Sequence, residues 1–115
     1  MWPKEWIHGK NDVLRTLERW SGARAQGWAY SVSHSQFLVR LYREGEKRSC
    51  YLYLKNCHRV SFSDYWSDAR ISIAEVPGEF GPEFLISDSD RLSVRCGAVF
   101  AAESEEYLRF ESPPV

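Results

Sequence analysis

The sequence has no excess of charge of either sign and no long apolar run. Its 115 residues include 15 Lys and Arg against 16 Asp and Glu, so it has no long-range field that would attract phosphate backbones or anionic lipid. No stretch approaches the roughly 20 apolar residues that span a bilayer, and the opening stretch MWPKEWIHGK lacks the apolar core of a signal peptide. These absences predict a cytoplasmic protein that binds neither nucleic acid nor membrane.

Cysteine is scarce, and its spacing matches no metal-binding motif. Cys50, Cys57 and Cys96 are odd in number and cannot all pair within one chain. Cys50 and Cys57 lie in the stretch SCYLYLKNCH, where strand parity would place them on opposite faces. Cys50 and His58 share a face but lie too far apart along a strand to bind one ion. We therefore expect three reduced, buried thiols, with no metal and no other cofactor.

Common catalytic motifs are also missing. The chain contains no GxSxG, HExxH, GxGxxG, P-loop or zinc-deaminase pattern. Asp64 with Asp68, and Asp88 with Asp90, are the nearest approaches to a cation site, but helix-dipole and Asx-turn roles explain these pairs more simply. The motif content therefore favours a protein without enzymatic activity.

No internal repeat, low-complexity tract or flexible linker divides the chain. Hydrophobic residues make up 43% and charged residues 27% of the sequence, which is the balance of a globular domain with its own core. Proline interrupts both ends, in MWPKEWIHG and in ESPPV. We predict a single domain over residues 1–115, with loosely ordered termini at 1–9 and 112–115.

One amphipathic helix is predicted between Gly9 and Gly27. Asn11 is its candidate capping residue, and Asp12 lies in the first turn. The apolar stripe at helical spacing consists of Val13, Leu14, Leu17 and Trp20. Such a stripe needs a sheet to pack against.

The clearest hairpin is QFLVRLYREGEKRSCYLYLK, residues 36–55. A type II′ turn with Gly45 and Glu46 at its centre aligns Val39 with Leu52 and Arg40 with Tyr51. One face is then wholly apolar: Phe37, Val39, Leu41, Cys50, Leu52 and Leu54. The other face carries Leu38, Arg40, Tyr42, Ser49, Tyr51 and Tyr53. A slip of one residue would mix the two sets, which supports this register.

Further strands are predicted on both sides of this hairpin. One precedes it in GWAYSVS, where Trp28 and Tyr30 alternate with small residues. Another, HRVSF, follows it, and then come a helical turn opened by Ser63, a strand in ARISIAEV and a loop at VPGEFGPE.

Two segments near the C-terminus complete the prediction. EFLISDSDRLSVRC predicts a second hairpin with Ile86 opposite Leu92. Residues 98–110 fit either a hairpin turning at Ser104, which we favour, or a helix from Ala101. The predicted fold class is α+β, an N-terminal amphipathic helix packed on a mainly antiparallel, hairpin-rich sheet of about six to eight strands.

Aromatic residues are abundant, with five Trp, six Tyr and six Phe. On the polar face of the first hairpin, Arg40, Tyr42, Tyr51 and Tyr53 are of the types enriched in binding hot spots. We predict a small non-enzymatic module that uses this face to bind a protein partner or a second copy, as a homodimer. Whether another layer covers the face is left open. If it is open, replacing Arg40 and Tyr51 together would leave stability almost unchanged.

The alternative function is a small enzyme or small-molecule binder. Its pocket would lie between the helix and the sheet and would use His34 or His58. An open aromatic face would favour the interaction module, whereas a concave pocket with converging titratable groups would favour this alternative.

Overall fold

The chain folds mostly into antiparallel β-sheet. A computed structural model describes residues 6–108, with 56% strand, a single short helix and two sheets. The expected α+β class is therefore replaced by a mainly β architecture, and the single expected sheet is divided in two. The second sheet covers the wholly apolar face of the central hairpin, with which it shares the main core.

The first sheet has six strands. In spatial order these are β1 (Ile7–His8), β10 (Ala98–Ser104), β4 (Ser49–Lys55), β3 (Gln36–Tyr42), β2 (Arg24–Ser31) and β6 (Tyr65–Trp66). The second sheet consists of β5 (His58–Phe62), β9 (Leu92–Cys96), β8 (Gly81–Asp88) and β7 (Ser72–Gly78). Every neighbouring pair of strands is antiparallel.

The helix, α1, spans Lys10–Arg19. It begins after Gly9, whose φ of 88° suits glycine, and no side chain caps it. Asn11 lies inside the helix, so its predicted capping role is wrong. Val13, Leu17 and Trp20 are buried as predicted. In residues 6–108 no helix is long and apolar enough to cross a membrane.

Leu17 tests the orientation of α1. Its side chain is 5% exposed and belongs to the main core. Leu17→Ala is therefore expected to lower the free energy of unfolding by about 2 to 4 kcal/mol in urea melts, through lost burial and a cavity. Glu18→Ala, on the exposed side of the same turn, should change it by less than about 0.5 kcal/mol. Equal effects of the two changes would contradict this packing.

The main core lies between the two sheets. Its fully buried members include Phe37, Val39, Leu52 and Leu54 from the first sheet and Ile86 and Val94 from the second. The Phe62 ring stacks on Phe37 with ring centroids 4.6 Å apart. That ring also lies directly on the backbone of Gly27, because a Cβ there would come within 2.5 Å of Phe62 Cδ2. Gly27 is thus required by close packing between the sheets.

The register of the first hairpin is confirmed. Val39 pairs with Leu52 and Arg40 with Tyr51. The turn differs, because the Glu46 amide donates to the Arg43 carbonyl (3.2 Å), which makes Gly45, with φ 81°, the third residue of the turn. The alternating faces determine the register even though the turn was placed one residue too late.

A β-bulge at Trp28 changes the predicted pattern of β2. Gly27 pairs with Val39 and Ala29 pairs with Leu38, so Trp28 is the extra residue. Tyr30 then packs against the main core, whereas Trp28 lies on the outer face of the first sheet. Simple alternation had placed both rings on one side.

The region after β5 is more extended than predicted. The strand in HRVSF is confirmed as β5, but β6 replaces the helical turn expected from Ser63. The expected loop at VPGEFGPE forms the end of the β7–β8 hairpin, with Pro77 opposite Pro82. In the next hairpin Ile86 pairs with Val94 instead of Leu92, a shift that keeps every side chain on its predicted face.

Residues 98–104 form one long strand, β10, between β1 and β4. The helix alternative is therefore wrong from Ala101 to Ser104. The favoured hairpin turning at Ser104 is also wrong over the described residues, because β10 pairs with β1 and β4 and residues 105–108 form no strand. Near the N-terminus, Ile7–His8 form the short strand β1. Residues 1–5 and 112–115 lie outside the described residues.

A buried carboxylate joins the two sheets. Asp88, at the end of β8, is 8% exposed. Its Oδ2 accepts hydrogen bonds from Trp66 Nε1 (2.8 Å) and from the Arg70 backbone amide (2.9 Å). Trp66 belongs to the first sheet, so Asp88 connects the layers in addition to ending a strand.

Candidate functional site

The four predicted contact residues lie on the outer face of the first sheet but differ in exposure. Arg40 and Tyr42 are half-buried, whereas Tyr51 and Tyr53 have no exposed surface. Of the two alternatives for this face, a covering layer is therefore observed over Tyr51 and Tyr53. These two side chains are not accessible for direct contact in this structure.

The covering layer is a second apolar cluster. Its fully buried members are Leu38, Tyr51, Tyr53 and Leu108, packed against Trp6, Trp28, Ala29 and Phe100. The rings of Trp6 and Tyr53 lie 5.7 Å apart. Trp6 precedes β1 and Leu108 follows β10, so both ends of the described chain supply the cover.

Hydrogen bonds attach the C-terminal segment to this face. The Tyr51 hydroxyl donates to the Glu106 carbonyl (3.1 Å), and Trp28 Nε1 donates to the Leu108 carbonyl (2.7 Å). Burial raises the pKa of Tyr51 and of Tyr53, so both phenols stay protonated at neutral pH and Tyr51 remains a donor. The segment that carries Tyr107 is thereby held against the sheet.

Arg40, Trp28, Tyr42 and Tyr107 form what we call the Arg40 cluster. The guanidinium carbon of Arg40 lies 4.5 Å from the ring centroid of Tyr42, 5.1 Å from that of Tyr107 and 5.3 Å from that of Trp28. These distances are within the range of cation–π attraction. Arg40 Nε also donates to Ser49 Oγ (3.1 Å). The cation is therefore fixed among three rings.

The edge of the Arg40 cluster is exposed. Tyr107 is 64% exposed, and Trp28 and Tyr42 are half-buried. Tyr65, also 64% exposed, is connected to this cluster through Gln26. The Gln26 amide nitrogen donates to the Tyr65 hydroxyl (3.0 Å), and the Gln26 amide oxygen accepts from Arg40 Nη1 (3.5 Å). The molecule thus presents a rigid aromatic surface with a cation at its centre.

Sequence reasoning missed Trp28 and Tyr107. Trp28 reaches this face only through the bulge, which strict alternation does not reveal. Tyr107 follows β10 in a segment with no strand or helix, so neither the helical nor the strand periodicity of apolar residues could place it. Arg40 and Tyr51 are paired in register as predicted, and the rings beside the guanidinium are those of Trp28, Tyr42 and Tyr107.

The histidines of the alternative function occupy different settings. His34 Nδ1 lies 3.2 Å from Ser31 Oγ and 3.1 Å from Ser33 Oγ in the exposed β2–β3 turn. His58 Nε2 lies 2.8 Å from Glu83 Oε2 and lines a hollow beside the β7–β8 hairpin. His58 thus lies at a hollow formed by the second sheet, and not at a pocket between the helix and a sheet as predicted.

All three cysteines are free and buried. Burial raises the pKa of Cys50 and of Cys57 to about 12 and raises that of Cys96 as well, so none supplies a thiolate at neutral pH. Cys57 shares the main core with Cys50, contrary to the parity argument. The reason is that β4 ends at Lys55 and Asn56, with φ 56°, turns the chain toward the second sheet.

Among residues 6–108 no group of three or more His, Cys, Asp or Glu side chains is placed to hold a metal ion. No protein-family model matches the chain, and no curated protein or solved structure is significantly similar to it. The surface chemistry of this molecule is therefore the basis for inferring its function.

Proposed function

We propose that this protein is a non-enzymatic interaction module that binds another protein through the exposed edge of the Arg40 cluster. The observation that carries the proposal is an exposed Tyr107 stacked on a guanidinium between two further rings. Tyr, Trp and Arg are the residue types that dominate binding energy at protein interfaces. An amphipathic ring can bury its face against a partner while its polar end stays hydrated.

Preorganisation strengthens the proposal. Arg40 is held by Ser49 and by its stacked rings, so its long side chain has little conformational freedom left to lose on binding. The hydrogen bond from Tyr51 to Glu106 holds the backbone beside Tyr107. Within the predicted site, Arg40 and Tyr42 are thus the contact residues, and Tyr51 and Tyr53 support them from below.

The test compares partner capture by matched variants. The double variant Tyr42→Ala and Tyr107→Ala is expected to lose a captured protein by at least about tenfold in quantitative mass spectrometry of pull-downs from the native cell. Its melting temperature should stay within a few degrees of wild type, because Tyr107 is exposed and Tyr42 half-buried.

The control variant is Val32→Ser. Val32 is 73% exposed in the turn at the other end of the β2–β3 hairpin, so this change also removes an exposed apolar side chain. Capture should be unchanged in the control. If the double variant retains every protein that wild type captures, the Arg40 cluster is not the contact site.

A further inference from the structure

The tip of the β7–β8 hairpin carries an exposed aromatic side chain, Phe80, which we call the knob. Gly78 pairs with Gly81, which leaves Glu79 and Phe80 as the two-residue loop. Phe80 is 97% exposed. Pro77 and Pro82 lie opposite each other just below the loop, and their fixed φ angles stiffen it. The hairpin therefore holds a phenylalanine ring almost entirely in solvent.

A hollow of about 410 Å³ lies beside this knob. Its lining includes the loop residues Glu79 and Phe80 themselves, together with His58, Glu83 and Arg95. Glu83 lies 2.8 Å from His58 Nε2 and 3.2 Å from Arg95 Nε, and the hydrogen bond from His58 lowers the pKa of Glu83. Arg95 also donates to the Pro77 carbonyl (2.7 Å). Glu83 and Arg95 carry opposite charges and lie side by side, so together they add no net charge to the lining.

Two further charges at the hollow, Arg59 and Glu79, have no partner among residues 6–108. A bulge in β5 gives Arg59 a left-handed φ of 52° and places it in the lining. Neither Arg59 nor Glu79 makes an ion pair or side-chain hydrogen bond with any residue in 6–108. Glu79 and Arg59, of opposite charge, thus both line the hollow beside Phe80 on one continuous surface.

We propose that two copies of this chain associate about a two-fold axis through this surface. The Phe80 ring of each copy enters the hollow of the other, and Glu79 of each copy pairs with Arg59 of the other. A two-fold interface needs knob and hollow on the same patch, since the same surface serves both subunits. The opposite charges of Glu79 and Arg59 make the patch complementary to itself.

The test is a charge exchange followed by sedimentation velocity over a concentration series. Wild type should show a concentration-dependent dimer. Glu79→Arg alone and Arg59→Glu alone should each weaken the dimer by at least about tenfold, because like charges then face each other at two places. An equimolar mixture of the two variants should form a heterodimer, since both contacts are again between opposite charges.

The controls separate association from folding and from the Arg40 cluster. Phe80→Ser should also give monomers, and the circular dichroism melts of all three variants should match wild type because these side chains are exposed. The Tyr42→Ala and Tyr107→Ala double variant should dimerise normally. Monomeric wild type at every concentration, or a mixture that stays monomeric, would overturn the proposal. A monomer that captures a different protein through Phe80 would also overturn it.

Discussion

Tyr51→Ala is expected to lower the free energy of unfolding by about 3 to 5 kcal/mol, the cost of removing a fully buried aromatic side chain. Tyr51 has no exposed surface and packs among Leu38, Tyr53 and Leu108. The total stability of a domain this size is only about 5 to 15 kcal/mol. Tyr51→Ala alone would therefore remove a large part of this stability. The double variant of Tyr51→Ala with Arg40→Ala, expected to be almost neutral if the face were open, is now expected to be strongly destabilised as well.

The matched control is Tyr51→Phe, which keeps the ring and removes the hydroxyl that donates to Glu106. Loss of that hydrogen bond should cost about 0.5 to 1.5 kcal/mol. Urea melts followed by tryptophan fluorescence would measure both variants. Similar small losses for Ala and Phe would mean that the ring is not buried and that the covering layer is absent in solution.

Asp88→Ala is expected to cost about 3 to 6 kcal/mol, because two hydrogen bonds to a charged acceptor are worth roughly 1.5 to 3 kcal/mol each. The change leaves Trp66 Nε1 and the Arg70 amide without their acceptor at the contact between the sheets. Calorimetric melting at neutral pH would show the loss as a lower transition temperature.

The Asp88→Asn variant distinguishes the role of the hydrogen-bond acceptor from that of the negative charge, because it keeps a side-chain oxygen and removes the charge. Both donors reach the same oxygen, Oδ2, so an amide oxygen placed there accepts both bonds. The Asn variant should therefore lose less than about 1.5 kcal/mol. If Asn destabilises the protein as much as Ala does, the negative charge rather than the acceptor holds Trp66 in place.

The sequence predicted which side chains share a face better than it predicted what covers each face. Alternation gave the pairing of Val39 with Leu52 although the turn was misplaced, because a slip of one residue would exchange the two faces. Cover over Tyr51 comes from Trp6 and Leu108. These residues lie outside any periodic segment, so no local pattern connects them to the sheet.

The candidate site was predictable only in part for the same reason. Arg40 and Tyr42 lie on a regular strand and were found from its period. Trp28 depends on a bulge, and Tyr107 depends on how the chain continues after its last strand. The division into two sheets was missed because the crossings between them include short links, at Asn56 and at Gly97, that resemble ordinary turns.

The position of β10 has a consequence for how the chain folds as it is made. β10 lies between β1 and β4 and is the last strand along residues 6–108. A nascent chain that ends at Gly97 therefore exposes the whole apolar edge of β4, and such an edge favours pairing between molecules. Joining Ile7 to Ala101 closes one of the longest loops available, so this step is expected to be late and slow. Ribosome stalling or truncation before Ala98 should therefore yield insoluble product rather than a shortened domain.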